Sequence, residues 1–362
     1  MLTTLVEPNN LRSFFGAFTF LRSIVRGARD DGAFVRRIRT ALLPTRFDGE
    51  PAPPADVFPP AEPFAAPALQ GKRVAIVVSA GSGATTSCVG VQRAFEEAGL
   101  QPAAISASSG ATLFASLWAC GLDAGQVARF WLTLPRSGYV DPDWPALLRA
   151  AGHGLRGWAG LLRGDALEKS FRDLLGDRRL GETKIPFSTV AWNIDLNRIE
   201  VLGSRATPDL PVALAARMAI AIPVFVEPVR IGGHLYGDGG VIDAFPVRPV
   251  LDERPDVIFG LNCYLPRGFA GEDVSGWRDR TLAIFNASGQ LRWSGMLALA
   301  REQALLAGDR LSLLHPVPWS EVRGSKFYDT FLERTRWPEF MLAGRKAARE
   351  ALLAAGPAAV AA

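Results

Sequence analysis

Cysteine is scarce in this sequence, and its scarcity excludes two ways of stabilising a fold. The 362-residue chain has three cysteines, Cys88, Cys120 and Cys263, which are widely spaced and form no Cys-x-x-Cys pair. Three such thiols cannot all pair with one another, so neither a disulfide framework nor a structural zinc site is expected. We therefore expect a reducing compartment, the cytoplasm.

The sequence also lacks a long hydrophobic run near its start. The longest uncharged stretch there, residues 13–21, is far shorter than the roughly 20 residues that a membrane-spanning helix needs. No basic stretch and small-residue cleavage site frame an apolar segment, so a secretory signal peptide is not expected.

Excess positive charge is confined to the first 46 residues. The net charge is +4, and residues 1–46 carry eight arginines against three acidic side chains. The remainder is close to neutral, so we expect no nucleic acid as a partner. Apolar residues of the segment recur at helical spacing, with most arginines off that face. We expect a basic amphipathic helical arm over 1–46, either peripheral at a membrane or packed against the protein itself.

Composition divides the rest of the chain into a linker and one large domain. Residues 47–70 are rich in proline and alanine and are predicted to be a semi-rigid linker. Residues 71–355 open with alternating strand and helix patterns joined by short connections. This order predicts an α/β domain whose parallel sheet is covered on both faces. Further strands are predicted at 187–192, 199–202, 229–236 and 257–264, with mostly helix in the last 90 residues.

Three serines lie in one turn, "ISASSGATL", between a predicted strand and a predicted helix. A serine on such a tight turn exposes its Oγ above the amides of the following helix. The turn needs small residues two positions before and two positions after the reactive serine. Ser108 has Ser106 and Gly110 at these positions, whereas Ser109 has two alanines and no glycine. We therefore predict Ser108 as the candidate nucleophile, the alternative being a serine that only caps the helix.

A glycine-rich loop, "SAGSGATTS", follows the first strand. Ester or amide hydrolysis develops an oxyanion that needs preorganised N–H donors, and no bulky side chain obstructs the amides of this loop. A phosphate-binding Walker loop would require Gly-Lys-Ser/Thr, which is absent, and the Gly-x-Gly-x-x-Gly pattern is not completed. A plain strand-to-helix turn is the other alternative.

Histidine is scarce too, and none of the three histidines lies in a motif typical of a catalytic triad. The base for a reactive serine would then be a carboxylate, and "LYGDGGVIDAFPV" offers Asp238. Gly239 and Gly240 follow it, and they allow positive φ and close approach to another backbone. The alternative is a hairpin turn, for which Asp-Gly is a strong signal.

Three features follow one another along the chain: the glycine loop, the tight turn that carries the serines (the elbow) and Asp-Gly-Gly. In this order they resemble the patatin-like phospholipase family of serine lipid acyl hydrolases with a Ser–Asp dyad. The likeness extends to "GVQRAFEEAGL", "IPFSTVAWNIDLNRIEVLG", "ALAARMAIAIPVFVEPVRIGGHLYGDGGVIDAFPV" and the tail "FYDTFLERTRWPEFMLAGRKAAREAL". It implies a three-layer α/β/α sandwich around a mainly parallel sheet and no metal or organic cofactor. Carried over residue by residue, it implies a dyad of Ser108 and Asp238, with an oxyanion hole from Gly81, Ser82 and Gly83.

The sequence departs from the family pattern at several positions. Ser106 stands where the elbow usually has glycine, and Ala84 stands where the glycine loop usually has arginine. Ser82 narrows the backbone freedom of that loop, and Asp243 stands where asparagine is frequent. These changes leave the predicted dyad intact.

The resemblance implies cleavage of a lipid acyl ester, of phospholipase, lysophospholipase or esterase type, through an acyl-enzyme. One alternative is a non-catalytic member of the fold that binds a lipid or a partner. The other is an acyltransferase or hydrolase that acts on a polyester or a thioester. The expected partners are the acyl substrate and, through the arm, a membrane surface.

Overall fold

The computed structural model describes residues 56–143, 146, 159–270, 283–322, 326, 327, 330 and 334–354. The predicted arm over residues 1–46 lies outside these residues, as does His153.

Ten strands and eight α-helices are found in the described part of the chain. The strands are β1 Val74–Val78, β2 Ala104–Ala107, β3 Gly160–Leu162, β4 Phe187–Asn193, β5 Arg198–Gly203, β6 Val224–Val226, β7 Val229–Ile231, β8 His234–Asp238, β9 Val257–Leu261 and β10 Leu311–Leu314. The helices are α1 Ser87–Glu97, α2 Thr112–Ala119, α3 Ala124–Thr133, α4 Asp165–Leu175, α5 Val212–Ala219, α6 Arg248–Leu251, α7 Ala283–Ala307 and α8 Trp337–Ala354.

The central sheet is mainly parallel, as predicted. Its order is β10-β9-β1-β2-β4-β8-β7, with β5 paired to β4 as an eighth strand. The pairs from β10 through β4 are parallel, whereas β5 and β8 run antiparallel to β4. Strands β3 and β6 form a separate two-stranded parallel sheet.

Strand β1 shows why the fold has three layers. All five of its residues are buried, as a continuous apolar run predicts for a strand covered on both faces. Val74, Ile76 and Val78 join the hydrophobic cluster that includes α1, α2 and α8. Ala75 and Val77 face the opposite cluster, to which α6 and α7 contribute. The predicted α/β/α sandwich is thereby confirmed.

The predicted strand over 229–236 is a hairpin of two strands, β7 and β8. Gly232 and Gly233 form its turn with φ of 57° and 88°, values that favour glycine. Asp238 is therefore the last residue of β8 and does not lie in the hairpin turn.

Residues 56–70, part of the predicted linker, lie against the domain and form a strap. The Phe64 amide donates to the carbonyl of Glu97 at 3.1 Å, and Ala66 and Leu69 are buried. The Arg349 guanidinium of α8 lies 4.6 Å from the centre of the Phe64 ring. The strap is thus held by both α1 and α8.

A buried carboxylate links the strap to these helices. The Glu97 side chain is 0% exposed and pairs with Arg93 at 3.1 Å, Arg345 at 3.0 Å and Arg349 at 3.5 Å. Glu62 of the strap also pairs with Arg349, at 3.5 Å. Because a buried charge is stable only with such partners, this network holds the strap and the two helices together.

Within the described residues, no helix combines the length and the apolar character needed to cross a membrane.

Candidate active site

Strand β4 brings the serine turn and the aspartate together. Since β5 pairs along one edge of β4, strands β2 and β8 share the other edge. Strand β2 ends at Ala107, which lies opposite Thr189, and β8 ends at Asp238, which lies opposite Ala191. The two strands run in opposite directions, so their carboxyl ends meet beside β4.

The backbone reverses its conformation between two neighbouring serines. Ser108 has φ −132° and ψ 143°, so it continues the extended conformation of β2. Ser109 has a φ of 54°, in the left-handed region, and begins the 3-10 turn Ser109–Ala111 that leads into α2. A non-glycine residue in this region costs on the order of 1–3 kcal/mol and is typical of functional sites.

The two serine hydroxyls have different partners. Ser109 Oγ donates to Asp238 Oδ2 at 2.6 Å, and the Gly240 amide donates to Asp238 Oδ1 at 2.7 Å. Ser108 Oγ donates instead to the main-chain carbonyl of Asp243 at 2.8 Å. The predicted contact between Ser108 and Asp238 is therefore not formed, because the reversed φ turns the side chain of Ser109 towards the aspartate.

Small residues let the elbow pack tightly, but they are not the pair used for the prediction. Ala107 and Ala111 flank Ser109 at two positions on each side and are 0% exposed. Ser106 lies within β2, and a Cβ added to Gly110 would lie 2.4 Å from the carbonyl oxygen of Gly81. Requiring small residues at both positions, without insisting on glycine, would have kept Ser109 as an equal candidate.

Asp238 is buried, with 1% of its surface exposed. Burial raises the pKa of its carboxyl from 3.8 to about 7, although the hydrogen bonds from Ser109 and Gly240 act in the opposite direction. Its basicity is therefore greater than that of an ordinary aspartate.

The two glycines after Asp238 are required by space. A Cβ on Gly239 would lie 2.6 Å from the main-chain carbon of Val190. A Cβ on Gly240 would lie 2.7 Å from the Cβ of Ser109 and 2.8 Å from Ser108 Oγ. The predicted close approach is confirmed, but neither glycine has a positive φ.

The glycine loop presents free donors beside the elbow. Gly81, Ser82 and Gly83 are buried, and their amides make no hydrogen bond within the described part of the chain. Buried amides are usually paired, so three adjacent free donors are unusual. The loop packs closely against the elbow, since a Cβ added to Gly110 would lie 2.4 Å from the carbonyl oxygen of Gly81.

Asp243 is a second buried carboxylate near Ser109 and Asp238. Burial raises the pKa of its side chain to about 6, and Gln303 Nε2 on α7 donates to its Oδ2 at 2.8 Å. Its carbonyl accepts the Ser108 hydroxyl, so Asp243 links the turn that follows Asp238 to both the elbow and α7.

The two described histidines belong to other surroundings. His234 lies on the β7–β8 hairpin with its Nδ1 3.9 Å from Asp195 Oδ2. His315 Nδ1 lies 3.3 Å from Asn262 Nδ2. Among the described residues, no group of three or more His, Cys, Asp or Glu side chains is arranged to hold a metal ion.

Comparisons with known proteins indicate the family of this chain. Residues 76–251 match the family model of patatin-like phospholipases. Uncharacterized NTE family proteins of Mycobacterium tuberculosis and Mycobacterium bovis are 26% identical over 194 residues, which cover 52% of this chain and 49% of theirs. The chain thus spans about half the length of these curated relatives.

Two solved structures overlap with much of the chain. VipD from Legionella pneumophila has a TM-score of 0.46 and 14% identity, covering 78% of this chain and 66% of its own. Human GIVD cytosolic phospholipase A2 has a TM-score of 0.43 and 10% identity, covering 78% of this chain and 59% of its own.

Proposed function

Because residues 76–251 belong to the patatin-like phospholipase family, we propose that this protein is a serine hydrolase that cleaves a lipid acyl ester. The observation that carries the proposal is the 2.6 Å hydrogen bond from Ser109 Oγ to Asp238 Oδ2 at a left-handed turn. The proposed nucleophile is Ser109, one residue beyond the serine that the sequence favoured, and the proposed base is Asp238.

The reaction begins when Ser109 Oγ attacks the carbonyl carbon of the ester while Asp238 accepts the hydroxyl proton. A carboxyl group whose pKa is about 7 is ionised in a fraction of the molecules at neutral pH. It can also return the proton to the leaving group. The tetrahedral intermediate collapses, the leaving alcohol takes the proton from Asp238, and the acyl group stays on Ser109. Water then repeats the sequence and releases the acid.

The negative charge of the tetrahedral intermediate needs donors that are already in place. The free amides of Gly81, Ser82 and Gly83 are the proposed oxyanion hole. Such donors act strongly in a water-poor site, where removing one typically costs about 10²–10³-fold in rate.

Labelling with a fluorophosphonate tests the assignment, with Ser108→Ala as the matched control for Ser109→Ala. We expect one covalent adduct by intact mass on the wild type and on Ser108→Ala, and none on Ser109→Ala. Hydrolysis should fall at least about 10³-fold in Ser109→Ala and Asp238→Asn, but less than about tenfold in Ser108→Ala. Circular dichroism would establish that each variant is folded.

A labelled Ser109→Ala, or a folded Ser108→Ala that is not labelled, would contradict the assignment. Assaying phospholipid, lysophospholipid, simple ester and thioester substrates in parallel would identify the acyl donor class. Tight lipid binding without turnover of any of these donors would favour the non-catalytic alternative.

A further inference from the structure

The glycine loop is held by a part of the chain that lies outside residues 76–251. Ser82 Oγ lies 2.6 Å from Thr330 Oγ1, and it donates a hydrogen bond to the main-chain carbonyl of Phe327. Thr330 Oγ1 also lies within 2.9 Å of the Phe327 carbonyl. Ser82 and Thr330 are 8% and 3% exposed, so this hydrogen-bonded group is shielded from water.

The next residue of the loop is in backbone contact with the same segment. A Cβ added to Gly83 would lie 1.8 Å from the carbonyl oxygen of Thr330. Trp337 Nε1 donates to that carbonyl at 2.8 Å, and Trp337 is 2% exposed. Thr330 therefore contacts the loop through its side chain and its main chain, and Trp337 fixes its position.

The helices on either side of this contact are also closely packed. A Cβ on Gly90 of α1 would lie 1.8 Å from the carbonyl oxygen of Met341. A Cβ on Gly344 of α8 would lie 2.0 Å from the carbonyl oxygen of Ser87. Because α1 follows the glycine loop and α8 begins at Trp337, the close packing of these two helices also fixes Trp337 relative to the loop.

The loop needs such a support. Its main chain is anchored at Ala80, whose amide donates to the Ala244 carbonyl at 2.7 Å, and next at Thr85, whose amide donates to Ser82 itself. Between these points the free amides of a glycine-containing loop could turn towards water or another acceptor. Within the described residues, the Ser82 hydroxyl provides the hydrogen bonds from this stretch to residues that are distant in sequence.

We propose that Thr330 is a positioning residue for the glycine loop. With Ser82 and Trp337 it forms a C-terminal clamp that holds the amides of Gly81, Ser82 and Gly83 towards the elbow. The inference rests on the proposed function. It adds that the rate of hydrolysis depends on residues outside 76–251, the range that matches the family model. Neither hydroxyl of the clamp is bonded to Ser109 or Asp238, so its effect passes through the loop.

Thr330→Val removes the hydroxyl and keeps the shape of the side chain. We expect kcat for a soluble ester to fall about tenfold with KM nearly unchanged. A misplaced oxyanion hole weakens an interaction that is made only when the oxyanion forms, and it leaves substrate binding unchanged. The rate of phosphonylation of Ser109 should fall to a similar extent. Thr330→Ser restores the hydroxyl and should recover most of both rates.

Thr183, which lies between the 3-10 turn Leu180–Glu182 and β4, provides a matched control. Its hydroxyl also donates to a carbonyl three residues earlier, that of Leu180 at 2.9 Å, and contacts another hydroxyl, that of Ser204 at 2.9 Å. Thr183→Val should therefore lose comparable stability in urea unfolding and keep wild-type kinetics. Ser82→Ala should resemble Thr330→Val, and the double variant should be no slower than either single one.

Two outcomes would overturn the clamp while leaving the proposed function intact. In one, the wild type is labelled at Ser109 and Thr330→Val is labelled at the same rate. In the other, Thr183→Val loses as much kcat as Thr330→Val, which would mean that general destabilisation explains both. A folded wild type that is neither labelled nor active would reject both the proposed function and the clamp.

Discussion

Ser109 and Asp238 are separated by 129 positions in sequence, yet a 2.6 Å hydrogen bond joins Ser109 Oγ to Asp238 Oδ2. The distance is that of an O–H donor bound to a carboxylate, which is stronger than a bond between neutral groups. Strand β4 makes the contact possible because β2 and β8 end beside it, head to head. The pair is thus aligned for proton transfer before any substrate binds.

The pH dependence of the reaction should report the ionisation of Asp238. Only the carboxylate can accept the Ser109 proton, and burial raises its pKa to about 7. We expect kcat/KM for a soluble short-chain ester to rise about tenfold per pH unit below 7 and to level off above it. A midpoint below pH 5 would contradict the role of this buried carboxylate.

Asp243→Asn separates the two buried carboxylates in that experiment. The Asp243 side chain has a pKa of about 6, so it could also produce a transition near neutrality. The variant keeps the main-chain carbonyl that accepts Ser108, and we expect its midpoint to stay near that of Asp238.

Asp238→Asn should be more stable than the wild type at pH 8. Burial raises the pKa of the folded state from 3.8 to about 7, so between these values the folded protein holds a proton that the unfolded chain has released. Stability therefore falls as pH rises through this window and stays lower above it. We expect a gain on the order of 1–3 kcal/mol at pH 8 and little at pH 4, measured by urea unfolding.

The same measurement on Asp243→Asn tests a buried carboxylate for which we propose no role as the base. Its pKa is raised in the same direction, so this variant should also gain stability at pH 8, over a window that ends near pH 6. Only Asp238→Asn should lose activity. A loss of stability at pH 8 in both variants would show that burial of the ionised carboxylates does not destabilise the folded protein.

Gly240→Ala should abolish activity. The added Cβ would lie 2.7 Å from the Cβ of Ser109 and 3.0 Å from Asp238 Oδ1, so the two side chains would have to move apart. Gly295 is the control, because a Cβ there meets nothing within 4 Å and the residue lies within helix α7. Gly295→Ala should gain about 0.5–1 kcal/mol with unchanged kinetics. An active Gly240→Ala enzyme would argue against the close packing of the dyad.

Glu97→Gln should loosen the strap. The change removes the buried negative charge that pairs with Arg93, Arg345 and Arg349. The positive charges of these three side chains are then no longer balanced by a carboxylate at this position. We expect a loss of about 2–4 kcal/mol in urea unfolding and faster proteolysis within residues 56–70. Asp173→Asn, at an exposed pair with Lys169, should change stability little. Equal effects of the two substitutions would contradict the network.

The amino-acid sequence by itself determined the local pieces of this protein. The apolar run of β1, the small residues of the elbow and the glycines after Asp238 each have a local physical cause, and each marks its element correctly. Their chain order also indicated the sheet, because strands joined by short helical crossovers become parallel neighbours. The strap could not be recognised in this way, since its partners on α1 and α8 are distant in sequence.

Only the tertiary structure decided which hydroxyl meets Asp238. Ser108 and Ser109 are chemically alike and both have small neighbours, so composition could not separate them. The choice depends on where φ becomes positive, at Ser109, and on β8 ending beside β4 at a position that matches that turn. Side-chain direction changes with every residue of an extended chain, so a shift of one position at the end of β2 sends the hydroxyl to a different partner.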